Sequence, residues 1–165
     1  LVERIVPVEA RNEPTITHCE TIYRAAYEAR WNAKTRPYDG IPELLNELAG
    51  RDIKLAVLSN KPHDFTVRCI DEFLGDFAWS SVFGMREGVP KKPDPAGALE
   101  IANQLDFSPK NCLYLGDTNV DMLTGKSAGM HPVGVLWGFR QKAELVEAGA
   151  EMLLETPLDL LKLFA

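Results

Sequence analysis

Two acidic side chains four positions apart suggest metal chemistry in this sequence. Asp117 and Asp121 lie in the run Leu-Gly-Asp-Thr-Asn-Val-Asp, directly after a short apolar stretch. Carboxylates that meet in a cleft repel each other unless a cation lies beside them. Mg²⁺ is a natural partner because proteins commonly bind it through one or two carboxylates, with water and phosphate as the other ligands. The same spacing would suit a helix start, with Asp117 or Asn119 as the cap and Asp121 near the positive helix end.

A hydroxyl and an amide, Ser59 and Asn60, follow a second apolar stretch. The Ser59 hydroxyl and the backbone N–H groups around it could donate hydrogen bonds to phosphate oxygens. A Ser-Asn pair is also common in turns, and Asn60 or Asp64 could simply cap the following helix.

A lysine, Lys92, directly precedes Pro93 in a proline-rich loop. Proline restricts the backbone of the residue before it, so the Lys92 side chain should start from a better-fixed point than most surface lysines. A lysine in such a place could hold a phosphate as a point charge. The alternative is that Lys91 and Lys92 are a solvated basic pair ahead of a helix.

Together, these segments contain the groups that neutralise and orient a transferring phosphoryl group. The candidates are therefore Ser59, Asn60 and Lys92 for phosphate, and Asp117 and Asp121 for a metal ion. The elements around them must bring these residues to one place.

Short apolar stretches alternate with helical patterns along most of the chain. Strands are expected at 53–58, 79–83, 112–115, 133–136 and 152–154. Helices are expected at 16–34, 42–49, 63–74, from 94 or 95 onwards, 119–128, 140–148 and 157–164. This alternation predicts an α/β fold with a parallel sheet covered by helices on both faces. Ligands of such sheets bind at the carboxyl ends of the strands, where Ser59 and Asp117 are expected.

The composition limits the function classes that this chain can belong to. It has 165 residues, 45% of them apolar, and a net charge of −6, which is enough for one buried domain with a small appendage. No long Lys/Arg cluster, membrane-length apolar run or signal-peptide pattern is present, so we expect neither nucleic acid nor membrane as a partner. Three cysteines without paired spacing favour a reducing compartment, the cytoplasm.

The motifs resemble those of the haloacid-dehalogenase-like hydrolases, and most closely the phosphoglycolate phosphatase-like branch. Ser59-Asn60, Lys92 within Lys-Pro-Asp-Pro, and Gly-Asp117-xxx-Asp121 are similar to the second, third and fourth motifs of that family. The likeness implies that Ser59, helped by the backbone at Asn60, binds the phosphoryl oxygens. Lys92 would neutralise the phosphate and the nucleophile. Asp117 would bind Mg²⁺, and Asp121 would ligate or support it.

The resemblance also implies an architecture. The family has a three-layer, doubly wound parallel sheet, which would occupy residues 37–165, and a helical cap, of which residues 1–36 would be the remainder. A turn-rich break at residues 36–40 separates the two. The implied partner is a small phosphorylated metabolite such as phosphoglycolate, hydrolysed with Mg²⁺ through an aspartyl-phosphate.

The family's first motif, Asp-x-Asp, does not occur in this sequence. In the family its first Asp is the nucleophile, and its strand lies at the centre of the sheet. A sheet without that strand would have two unpaired edges and a groove in the core. We therefore expect these residues to be part of a longer protein, with the first core strand absent, and to be inactive alone. The alternatives are a catalytically inactive phosphate-binding or regulatory protein, or a related sugar-phosphate mutase or phosphonate hydrolase.

Overall fold

The computed structural model describes residues 2–164, without the side chains of residues 3 and 4. These residues form two units, of which the first ends at Arg36 and the second begins at Pro37. The first unit contains helices α1 (Val2–Ile5) and α2 (Glu13–Arg30), with a 3₁₀ turn between them. Asn12 caps α2 by accepting a hydrogen bond from the Thr15 N–H at 3.0 Å. No helix among residues 2–164 is both long enough and apolar enough to cross a lipid bilayer.

The second unit alternates strands and helices, as the apolar pattern predicts. Its strands are β1 (Leu55–Pro62), β2 (Trp79–Met85), β3 (Leu113–Gly116), β4 (His131–Val135) and β5 (Met152–Leu154). Its α-helices are α3 (Ile41–Ala49), α4 (His63–Leu74), α5 (Ala96–Gln104), α6 (Asn119–Ser127) and α7 (Lys142–Glu147). The segment Pro157–Phe164 is a 3₁₀ helix, with Thr156 paired to the Asp159 carboxylate at its start.

All the paired strands are parallel, which confirms the predicted α/β class. They form two sheets instead of one, with strand orders β1-β2 and β3-β4-β5. Among the described residues β1 and β3 are therefore edge strands. Their edges border an apolar groove of about 530 Å³, which we call the central groove.

The hydrophobic core consists of two clusters of buried side chains. One joins α3 and the final 3₁₀ helix to β4 and β5 through Leu44, Leu48, Val133, Leu154 and Leu160. The other joins α5 to the end of α6 through Ala98, Ala102, Ala128 and Met130. Members of both clusters line the central groove, so helices pack beside it from two sides.

Strand β1 and helix α5, which lie next to Ser59 and Lys92 in the sequence, have other bounds than predicted. Strand β1 continues beyond residue 58 to Pro62, so Ser59 lies inside the strand and not after it. Helix α5 begins at Ala96, later than predicted, because the Asp94 carboxylate accepts a hydrogen bond from the Ala96 N–H at 2.9 Å. That bond holds residues 94 and 95 as a turn ahead of the helix.

A surface ion pair beside β4 should make stability depend on pH. His131 Nδ1 lies 2.7 Å from Glu151 Oε2, and its Nε2 lies 3.0 Å from the Lys110 carbonyl oxygen. The hydrogen bond to Glu151, and then the one to the Lys110 carbonyl, raise the pKa of His131 above its usual value. Because the folded-state pKa is raised, the His131–Glu151 pair contributes its full stabilisation below the unfolded-state pKa of about 6.5. This contribution is lost as pH rises through the folded-state pKa.

We expect His131→Gln to lower the melting temperature at about pH 5.5 and to have little effect at about pH 9. The effect should be small, since both side chains are about half exposed, at 47% and 52%. Thermal unfolding of both proteins across this pH range measures it. An equal difference at every pH would contradict the assignment.

Candidate active site

The end of β1 is irregular, and this irregularity presents Ser59. Leu58 pairs with Phe83 and Pro62 pairs with Met85, so residues 59–61 lie opposite the single residue Gly84. Such a bulge turns side chains away from the regular strand direction. The Ser59 Oγ accepts a hydrogen bond from the Lys61 N–H at 3.1 Å, which leaves the hydroxyl proton available to another acceptor.

The Asn60 side chain ties the end of β1 to the loop that carries Lys92. Its Nδ2 donates to the Lys92 carbonyl oxygen at 3.0 Å, and its Oδ1 accepts from the Lys92 N–H at 2.9 Å. Both polar ends of the carboxamide therefore bind the backbone of one residue 32 positions away. Asn60 fixes the point from which the Lys92 side chain starts.

The Lys92 ammonium links the two sheets across one end of the central groove. Its Nζ donates to the Leu58 carbonyl oxygen of β1 at 3.0 Å and to Asp121 Oδ1 at 2.7 Å. The side chains of Lys92 and Asp121 are only 14% and 10% exposed. An ammonium group has three N–H donors, so one remains for a further acceptor. Since Asp121 lies on the helix after β3, the carboxyl ends of β1 and β3 meet here.

The carboxylate of Asp121 is fully engaged by protein groups. Its Oδ2 accepts from the Thr118 N–H at 3.2 Å and from the Thr118 hydroxyl at 2.7 Å. Thr118 and Asp121 form a capping box at the start of α6, and Lys92 takes the other oxygen. A Cβ at Gly116 would lie 2.1 Å from the Asp121 Cβ. Residue 116, the last residue of β3, must therefore be a glycine.

The carboxylate of Asp117 is only half engaged. It follows β3 directly, and its Oδ2 accepts a hydrogen bond from the Phe139 N–H at 2.8 Å. Among the groups that the structure describes, none donates a hydrogen bond to its Oδ1. Asp117 therefore offers one open carboxylate oxygen at the carboxyl end of β3.

The hydroxyl group of Tyr114 is buried close to the Asp121 charge. Burial, and then the negative charge of Asp121, raise the pKa of Tyr114 well above its usual value. The phenol stays neutral at any physiological pH. Charges beside it act in a medium of lower effective dielectric, where ion pairs and phosphate contacts are stronger than in water.

The structure brings the predicted phosphate-binding residues together. Ser59, Asn60 and Lys92 line the same small pocket, and Lys92 reaches Asp121. Asp117 has no hydrogen bond to these three residues and joins the group through the chain from Thr118 to Asp121. The roles of Thr118 and of the Phe139 N–H were not predicted. The Thr-x-x-Asp spacing of a capping box could have indicated the first of these.

The donor groups of this site suit a divalent cation that takes only one carboxylate from the chain. The described side chains contain no cluster of three or more His, Cys, Asp or Glu residues arranged to hold a metal ion. Mg²⁺ does not require such a cluster, because water and substrate phosphate complete its octahedron. The open Oδ1 of Asp117 fits a single carboxylate ligand of this kind.

Comparison with known proteins identifies the family. The model of the haloacid dehalogenase-like hydrolases matches residues 4–129. The chain belongs to this family. Phosphoglycolate phosphatase of Psychrobacter arcticus is 33% identical over 129 residues, which are 76% of this chain and 54% of that protein. The haloacid dehalogenase-like assignment and its phosphoglycolate phosphatase-like branch, predicted from the motifs, are confirmed.

Other relatives extend the comparison to a second substrate and to a solved structure. N-acetylmuramic acid 6-phosphate phosphatase of Pseudomonas aeruginosa is 31% identical over 137 residues, 82% of this chain and 60% of that protein. A crystal structure from Lactobacillus delbrueckii, described as a candidate phosphoglycolate phosphatase, matches with a TM-score of 0.86 and 28% identity, over 94% of this chain and 64% of that one. This haloacid dehalogenase-like chain spans 54% to 60% of the two named phosphatases.

Proposed function

We propose that this chain supplies the phosphate- and metal-binding half of a Mg²⁺-dependent phosphatase acting on a small phosphomonoester, with phosphoglycolate as the leading candidate. The contact pattern of Lys92 carries the proposal. Its ammonium is held by the Leu58 carbonyl and by Asp121, and its third N–H stays available beside Ser59. A fixed, partly dehydrated cation next to a hydroxyl is suited to a phosphoryl group.

The proposed roles follow from the free donors and acceptors. The Ser59 hydroxyl donates to one phosphoryl oxygen, and the Lys92 ammonium neutralises another. Asp117 holds the cation through Oδ1, and Mg²⁺ when bound supplies charge neutralisation for the phosphoryl oxygens. We assign Asp121 a supporting role, because both of its oxygens already accept hydrogen bonds from Lys92 and Thr118.

The nucleophile in this proposal is an Asp carboxylate from outside residues 1–165. Its oxygen bonds to phosphorus as the ester P–O bond breaks. The leaving alcohol oxygen takes a proton from a general acid, also outside residues 1–165, which regains a proton from the attacking water in the second step. Water then attacks the aspartyl-phosphate, which releases inorganic phosphate and restores the carboxylate. Residues 1–165 alone should therefore bind phosphate without turning over a substrate.

We further propose that a β-strand carrying this Asp fills the central groove. Two features support it: the groove is apolar with a volume of about 530 Å³, and it lies between the open edges of β1 and β3. A strand parallel to both would end near Lys92. In this proposal residues 37–165 are the hydrolase core without its first strand, and residues 1–36 are part of a helical cap.

A second candidate is a catalytically inactive phosphate-binding or regulatory protein of the same family. It is favoured by one observation, the lack of any Asp-x-Asp motif in this sequence. Such a protein would keep the Ser59 and Lys92 contacts but would have no group to attack phosphorus.

The test is an assay of inorganic phosphate release by the whole protein. The substrates are phosphoglycolate, N-acetylmuramic acid 6-phosphate, a sugar 1-phosphate and a phosphonate, each with Mg²⁺ and with a chelator. We expect release from the first or second substrate, lost when the metal is removed. Phosphate binding without release would favour the regulatory protein. Isomerised sugar phosphate or cleaved phosphonate would indicate the related mutase or phosphonate hydrolase.

A further inference from the structure

The turn after β4 wraps closely around Asp117. The Phe139 N–H donates to Asp117 Oδ2 at 2.8 Å, and the next amide, that of Arg140, donates to the Asp117 carbonyl oxygen at 3.2 Å. Two consecutive backbone amides thus bind the side chain and the main chain of a single residue about 22 positions earlier. These bonds fix both the position and the rotation of the carboxylate.

The turn approaches Asp117 so closely that residue 138 must be a glycine. A Cβ at Gly138 would lie 2.1 Å from the Asp117 Cβ and 2.6 Å from its Oδ2. Both distances are shorter than non-bonded carbon and oxygen atoms tolerate. Any side chain at residue 138 must therefore displace the carboxylate or the turn. The Phe139 ring is 77% exposed, so the amide of this residue and not its ring makes the contact with Asp117.

We propose that the turn formed by Gly138, Phe139 and Arg140 is a positioning element that sets the divalent-cation affinity of this site. It occupies Oδ2 of Asp117 and leaves Oδ1 open, so the carboxylate is oriented before a cation arrives. Groups that hydrogen-bond a ligating carboxylate commonly change metal affinity by about 10- to 100-fold when they are removed. The inference rests on the proposed role of Asp117 as the metal ligand.

The experiment measures binding of Mn²⁺ to the whole protein, with free Mn²⁺ followed by electron paramagnetic resonance. Gly138→Ala should weaken Mn²⁺ binding by about 10-fold or more. Gly50→Ala is the matched control, because a Cβ there would meet nothing closer than the Glu47 carbonyl oxygen at 3.9 Å. Gly50 also has an ordinary backbone conformation, with φ −81°, so its Mn²⁺ affinity should equal that of the wild type.

A second variant covers the case in which Gly138→Ala does not fold, which circular dichroism would reveal. Replacing Phe139 by phenyllactic acid converts its backbone amide to an ester and removes only the N–H donor. This variant should also bind Mn²⁺ more weakly, by roughly 10-fold.

The outcomes separate this inference from the proposed function. If Asp117→Asn binds Mn²⁺ as the wild type does, the metal assignment of Asp117 fails, and the inference fails with it. If Asp117→Asn loses binding while the folded Gly138→Ala and ester proteins keep wild-type affinity, the inference alone is overturned. Weaker binding in all three supports both.

Discussion

Replacing Asp117 by Asn should reduce Mg²⁺-dependent phosphate release by the whole protein by roughly 1,000-fold or more. The substitution removes the negative charge that an open Oδ1 offers to a cation. It preserves an oxygen that can accept the Phe139 N–H, so the turn after β4 should stay in place. Steady-state phosphate release at saturating Mg²⁺ measures the loss, and thermal unfolding checks that the variant is folded.

The same substitution at a remote carboxylate is the control. Asp71 is exposed on α4, and Asp71→Asn should release phosphate at the wild-type rate. Turnover of Asp117→Asn close to that of Asp71→Asn would remove Asp117 from the mechanism. A loss of turnover accompanied by unfolding would instead assign Asp117 a structural part in the end of β3.

Lys92→Met should damage both activity and stability. Phosphate release should fall by roughly 100- to 1,000-fold, since the fixed, partly buried cation of the Ser59 pocket would be gone. The unfolding free energy should fall by about 3 kcal/mol, because Asp121 would keep its charge at 10% exposure without its partner. Phosphate release and chemical denaturation measure the two effects separately.

Two further variants test whether loss of the ion pair with Asp121 causes the instability of Lys92→Met. Lys110 is an exposed lysine near the amino end of β3, outside the small pocket, and Lys110→Met should leave both quantities near wild type. In the double variant Lys92→Met with Asp121→Asn, the unpaired charge is gone and the amide oxygen can still accept from Thr118. Stability should then recover in large part while activity stays lost. Equal instability of the single and double variants would contradict the ion-pair explanation.

Local sequence patterns determined most of the fold. The spacing of Val67, Ile70 and Phe73 predicts a helix at 63–74, and α4 occupies these residues. Strand β5 occupies the predicted 152–154. Such elements follow from side-chain periodicity over a few residues, which the sequence displays directly. The Thr118–Asp121 capping box is equally local, because both partners lie within one helical turn.

The motifs also determined which residues could form the site. The chemistry of Ser59, Lys92 and Asp117 makes them candidates, and Ser59 and Asp117 also follow directly on apolar stretches. The rule that ligands bind at the carboxyl ends of parallel strands then predicted one common location. The roles assigned to these residues remain predictions for the experiments above.

Only the tertiary structure decided how the residues are held. The Asn60 carboxamide binds the Lys92 backbone, Lys92 spans from the Leu58 carbonyl to Asp121, and the Phe139 amide orients Asp117. Each contact joins residues 22 to 34 positions apart, so it depends on the path of the chain and on a bulge in β1 that no local pattern encodes. Residue type and spacing identified the candidate chemical groups in this protein. Long-range packing determined which of their donors and acceptors remain free for phosphate and metal.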